Sequence, residues 1–153
     1  MSEMDLNNRI DTNFSGFFTR PERVTVYKQN DPEDYDGEGE SVEEFYMNKT
    51  WEEIKFDNVG GYLISYLNPD ALLYYLPAIL KELLSKKRKF TDFEERFFSK
   101  FGDPKWWDSR MEYVSSKLNN AQKNLVYEVC SEVRTRENRY YMEIQQIEEK
   151  FKC

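Results

Sequence analysis

The chain of 153 residues contains no histidine, only two cysteines and only six glycines. Without histidine there is no Ser-His-Asp or Cys-His catalysis within the chain, no phosphohistidine chemistry, and none of the common zinc or non-haem iron ligand sets. Cys130 and Cys153 lie far apart in a region that reads as helix, with no C-x-x-C spacing, so neither a disulfide framework nor a zinc site follows. Gly60-Gly61 lacks the Lys-Ser/Thr that completes a phosphate-binding loop. The most apolar run, Ala71 to Leu80, is interrupted by Pro77 and falls well short of the ~20 residues of a membrane span. The opening MSEMDLNNRIDTNF has no basic region leading into an apolar one, so we expect a cytoplasmic protein with no membrane partner.

What is present is aromatic and acidic. Mean hydropathy is -0.86, yet the chain carries 11 Phe, 11 Tyr and 3 Trp. That apolar area offsets ordering entropy and argues for a folded chain. At this length one domain is expected, burying roughly 69% of the unfolded surface. The formal charge of -7 is unevenly placed, because residues 31–44, DPEDYDGEGESVEE, hold eight acids and no base. The remainder of the chain is close to neutral.

The pattern predicts a mainly α protein of about six or seven helices. Leu6, Ile10 and Phe14 share a face of a first helix that ends at Ser15-Gly16. Arg23 to Lys28 alternates and reads as an extended segment lying on helices. Val42 to Met47 has room for a turn or two of helix. Thr50 with Glu53 has capping-box spacing, as do Thr91 with Glu94 and Asn119 with Gln122. Asn68-Pro69 is a strong helix start, and Asp103-Pro104 is another. The helix from Asp70 to about Lys87 is apolar nearly all round and is expected in mid-core, with either a kink or two helices meeting at Leu76-Pro77. Lys86 to Lys89 suits the negative end of its dipole. Gly102 fits a C-terminal cap. A long final helix from Asn120 to Lys152 is expected either to overhang the body or to break at Thr135 to Asn138. Residues 1–133 then form a helical domain containing the acidic loop 31–44, with 134–153 as a charged helical extension.

Trp51-x-x-Ile54, then Leu67-Asn68-Pro69-x-Ala71-x-x-Tyr74-Tyr75-Leu76-Pro77-Ala78, then Leu118-x-x-x-Gln122-x-x-x-Val126, is a pattern that resembles a family of small bacterial proteins defined only as a domain of unknown function. The likeness covers roughly Ile10 to Val133. It implies a small, mainly helical bacterial protein, often encoded near toxin genes, and no established activity.

Two candidate sites follow from the residues. Asp34-x-Asp36-x-Glu38-Gly39 imitates the first half of a calcium loop, but Phe45 stands where the bidentate Glu belongs, so no metal is assigned. The acidic segment then reads either as a solvated loop or as a docking surface for a basic protein. The docking reading uses Asp34, Asp36, Glu38, Glu40, Glu43 and Glu44, with Tyr35, Phe45 and Tyr46 as aromatic anchors. Its sign disfavours direct nucleic-acid binding. The leading reading is therefore a protein-binding protein, of the immunity type that inhibits a basic toxin or nuclease, with no cofactor. The alternative is a small-molecule or enzymatic pocket at Tyr74, Tyr75 and Pro77. Trp106-Trp107 is a further contact candidate. Val126, Val133, Tyr140 and Ile147 recur every seven residues, with Ile144 and Phe151 beside them, which offers a homo-oligomer seam.

Overall fold

The computed structural model describes residues 3–56, 64–85, 92–103, 108–136 and 140–152. Among them are seven α-helices: α1 (Glu3–Phe14), α2 (Glu38–Tyr46), α3 (Pro69–Leu84), α4 (Asp92–Phe101), α5 (Ser109–Lys117), α6 (Asn120–Arg136) and α7 (Tyr141–Phe151), with a 3-10 turn at Ile64–Tyr66. The described residues contain no strand beyond one isolated antiparallel bridge, Thr25 to Leu67.

Helix α3 is the axis of the core, because its apolar residues occupy its full circumference. All ten residues from Ala71 to Leu80 are buried, as are Leu83 and Leu84, and α1, α5 and α6 pack around them. Asn68 starts the helix as its sequence predicts: Oδ1 accepts from the Ala71 N–H at 2.9 Å, and Pro69 occupies the first turn, where no N–H is needed. The helix runs unbroken through Pro77. Of the two alternatives expected there, a kink or two helices meeting at Leu76-Pro77, the division does not occur, since the burial of both flanks outweighs the one lost backbone bond. At its C-terminal end Arg136 Nη1 donates to the Leu84 carbonyl at 2.9 Å. The Lys86 to Lys89 run lies outside the described residues.

The N-terminal helix buries Leu6, Ile10 and Phe14 as their spacing requires, and Gly16 leaves it with φ +75°. Its end is tied to α6, where Asn119 and Gln122 form the predicted capping box. Gln122 N–H donates to Asn119 Oδ1 and Asn119 N–H to Gln122 Oε1, both at 2.9 Å. The spare Gln122 Nε2 donates to the Asn13 carbonyl at 2.8 Å.

Two local expectations change. Glu53 does reach back to the Thr50 N–H at 3.0 Å, but the Thr50 hydroxyl donates to that same carboxylate, and residues 51–53 make only a turn. The cap of α5 is Asp108, which accepts from the Arg110 N–H at 2.9 Å; Pro104, Trp106 and Trp107 lie outside the described residues, as do Gly60, Gly61 and Thr91. Arg110 is itself buried, paired with Asp108 and donating to the Ser65 and Leu67 carbonyls at 2.8 Å each.

The long final helix is two helices. The first, α6, ends at Arg136, and α7 folds back against it, which keeps within a compact body a stretch that would overhang it if straight. Residues 134–153, read from sequence as an extension, place Ile144, Ile147 and Phe151 fully inside the common core. The stripe that suggested an oligomer seam is thus covered within one copy: Val126 and Val133 are buried in the same cluster and Tyr140 packs on it. Glu148, only 4% exposed, locks the hairpin by accepting from Ser131 Oγ at 2.8 Å and pairing with Arg134 at 2.7 Å.

Candidate functional site

The acidic segment is anchored on the extended stretch 23–28. One edge of that stretch faces the start of α3, where the Val26 N–H donates to the Tyr66 carbonyl and the Asn68 N–H to the Val24 carbonyl, each at 2.8 Å. Asn68 Nδ2 adds a bond to the Arg23 carbonyl at 2.7 Å. Glu43 of α2 also holds the stretch, its carboxylate accepting from the Val24 N–H at 2.9 Å and the Thr25 N–H at 2.8 Å.

Residues 31–37 then wind through successive turns. Asp31 closes the first, accepting from the Lys28 N–H at 3.2 Å and the Glu33 N–H at 3.0 Å. The Glu33 and Lys28 backbone N–H groups favour its charged form and hold its carboxyl below the usual carboxylate range. Asp34 accepts from the Gly39 N–H with both oxygens at 3.1 Å. Gly37 turns with φ +67° into α2, which begins four residues earlier than the sequence suggests. Gly39 packs so closely that an added Cβ would lie 2.8 Å from Asp34 Oδ2 and 3.1 Å from Tyr27 Cβ.

The eight acids therefore divide by role. Asp31, Asp34 and Glu43 spend their oxygens on backbone N–H groups and fix the shape. Glu33, Asp36, Glu40 and Glu44 are exposed and Glu38 is half-buried; Arg23 stands 3.4 Å from Glu40. Partial desolvation raises the Tyr27 phenol pKa, and the carboxylates of Asp34, Glu38, Asp31 and Glu33 raise it further. The Tyr27 ring pairs with that of Tyr66 at 5.9 Å. Tyr27 and exposed Val26 extend the surface beyond the residues the sequence suggested. Their signal was the alternation of Arg23 to Lys28, which puts Val26 on the face opposite Thr25.

Of the three expected aromatic anchors, Tyr35 is 89% exposed. Phe45 is half-buried, packed on Tyr46 and Phe56 at 4.9 and 6.3 Å and covered by Lys49 Nζ at 5.1 Å. Tyr46 is wholly buried. The helical period of α2 explains this, turning Val42 and Tyr46 inward together.

Tyr74, Tyr75 and Pro77, the alternative pocket residues, are core. Tyr75 is wholly enclosed; its hydroxyl donates to the Lys49 carbonyl at 2.6 Å and accepts from Arg20 Nε at 3.0 Å. Burial pushes that phenol up to about 12. Tyr74 packs edge-on against it at 4.8 Å. Among the described residues no group of three or more His, Cys, Asp or Glu is placed to hold a metal ion, and no helix is long and apolar enough to cross a membrane.

These features define an all-α domain with one core and one braced acidic surface. The chain belongs to a family of unknown function, DUF6714, whose model matches residues 2–149. That match runs past Val133, through α6 and most of α7. No curated protein and no solved structure matches the chain.

Proposed function

We propose that the chain acts by binding a basic protein through the surface formed by residues 26–44. The observation that carries this reading is the division of labour among the acids. Three carboxylates brace the backbone through hydrogen bonds, while Glu33, Asp36 and Glu44 are exposed, as is Tyr35 in the same segment. A braced surface loses little conformational freedom on association. Uncompensated carboxylates speed encounter with a basic partner, and a projecting tyrosine supplies an anchor to desolvate. The finer reading is an immunity-type inhibitor whose target is a basic toxin or nuclease.

The test is affinity capture from the native cells with the wild-type chain and with a variant carrying Glu33→Gln, Tyr35→Ala, Asp36→Asn and Glu44→Gln. All four positions are exposed, so the fold is retained. A basic protein held by the wild type, released by salt and lost from the variant supports the reading. An unchanged partner list rejects it. The captured protein is then assayed for nuclease activity with and without the chain, and undiminished activity rejects the inhibitor reading alone.

A further inference from the structure

Arg23 brings a base of the chain's own to the acidic surface. Its Nη2 donates to the Tyr27 carbonyl at 3.1 Å and stands 3.4 Å from Glu40 Oε1 and 3.8 Å from Glu43 Oε2. The Nε of the same guanidinium is buried, so the arm is packed into the fold rather than extended into solvent. Two of its three neighbours are fixed in place. The Tyr27 carbonyl is backbone, and the Glu43 carboxylate is held by the Val24 and Thr25 N–H groups. Glu40 is the outer neighbour, its side chain 62% exposed against 13% for Glu43.

The guanidinium therefore compensates Glu40 from a position that the fold sets. A base of another molecule approaching Glu40 meets a like charge 3.4 Å from that carboxylate, well inside the about 8 Å over which exposed charges act at physiological salt. Glu44 offers the contrast. It lies one helical turn further along α2 and is exposed as Glu40 is, and among the described residues no base pairs with it.

We propose that Arg23 is an internal competitor of the basic partner: it masks Glu40, so that the surface engages that partner through Glu33, Asp36 and Glu44 and binds it less tightly than its acids alone would allow. The proposal rests on the reading of residues 26–44 as a docking surface for a basic protein. Exposed ion pairs are weak, so the mask tunes affinity and does not close the surface.

The test titrates the full chain with acetyl-tetraarginine amide at low salt, following backbone amide resonances by NMR. Glu44→Gln is expected to weaken binding about threefold, and Glu40→Gln, the same charge change one turn away, by less than about 1.5-fold, within the range of exposed ion pairs. Arg23→Gln is expected to tighten binding about threefold, and Glu40→Gln added to it to cancel that gain. Equal losses for Glu40→Gln and Glu44→Gln overturn the proposal, and because both sites are exposed this comparison stands whether or not Arg23→Gln folds. A gain that survives the added Glu40→Gln is an effect of net charge and overturns it too, as does the absence of a gain in a folded Arg23→Gln chain. In each of these cases binding that depends on Glu44 leaves the acidic-surface reading in place. Binding that no acidic variant alters, or no binding at all, overturns the acidic-surface reading and this proposal with it.

Discussion

Glu43 holds Thr25 by its backbone: the carboxylate of a residue on α2 lies 2.8 Å from the Thr25 N–H and 2.9 Å from the Val24 N–H. Glu43→Gln keeps the shape but leaves one acceptor oxygen for two donors, and an NH2 group facing one of them. We expect a loss of about 1.5–3 kcal/mol, the range for hydrogen bonds to a charged group. The neighbouring Glu44→Gln is expected within about 0.5 kcal/mol of wild type, as for an exposed site. Urea unfolding of the two variants measures the contrast.

Two buried tyrosines of the same core have opposite expectations. The Tyr46 hydroxyl is buried with no hydrogen-bond partner, whereas that of Tyr75 bridges Arg20 and the Lys49 carbonyl. Tyr46→Phe removes an unsatisfied polar atom and is expected to be neutral or stabilising by up to about 1 kcal/mol; Tyr75→Phe strands its partners and is expected to cost about 1–3 kcal/mol. Equal losses in thermal or urea unfolding would contradict this account.

Gly102 follows α4, and its N–H donates to the Phe98 carbonyl at 2.8 Å. A Cβ there would lie 2.6 Å from the Glu143 carbonyl oxygen, which is backbone of α7 and has no rotamer to yield. Gly102→Ala is expected to destabilise by about 3 kcal/mol, at the upper end of overpacking costs. Urea unfolding at neutral pH checks it.

The Asp108 carboxyl lies below its ordinary range: burial raises it, and the Arg110 hydrogen bonds and charge outweigh that and lower it. A depressed folded-state pKa contributes stability that is present above the unfolded value and is lost as pH falls through the folded one. Asp108→Asn retains a capping oxygen but not the charge. The variant is expected to be less stable than wild type at pH 7, with the difference shrinking as pH falls below about 4. Unfolding midpoints at pH 7, 4 and 3 test the convergence.

Cys130 is buried and unpaired, and burial, followed by the nearby Glu148 carboxylate, raises its thiol pKa. Because the thiolate is the reactive form, iodoacetamide at pH 8 is expected to leave Cys130 unmodified in the folded chain and to label it in denaturant. Peptide mapping by mass spectrometry reads the outcome.

What was legible in the sequence were interactions closed within one helical turn. Leu6, Ile10 and Phe14 declare their face by spacing, Asn68 its cap by the following proline, and Asn119 with Gln122 a capping box that forms in full. Thr50 with Glu53 shows the limit of such signals, since the side chains meet while the backbone makes only a turn. The acidic segment announced itself by composition, but not which acids point outward. That depends on Glu43 meeting N–H groups 18 and 19 positions away and on α2 starting at Glu38. The pocket suggested by Tyr74 and Tyr75 is core for a similar reason, as the partner of the Tyr75 hydroxyl is Arg20, 55 positions earlier. The acute approach of Gly102 to α7 likewise has no local signature.

The placement of Asn68 bears on the order in which the molecule assembles. It caps α3 with one atom while its amide groups hold Val24 and Arg23, more than forty residues upstream. On the ribosome the acidic segment emerges well before this residue, so its bracing is completed only once α3 has been made. A nascent chain stopped short of Asn68 lacks these bonds to residues 23 and 24, so the stretch that carries the acidic segment is fixed late in synthesis, together with the core.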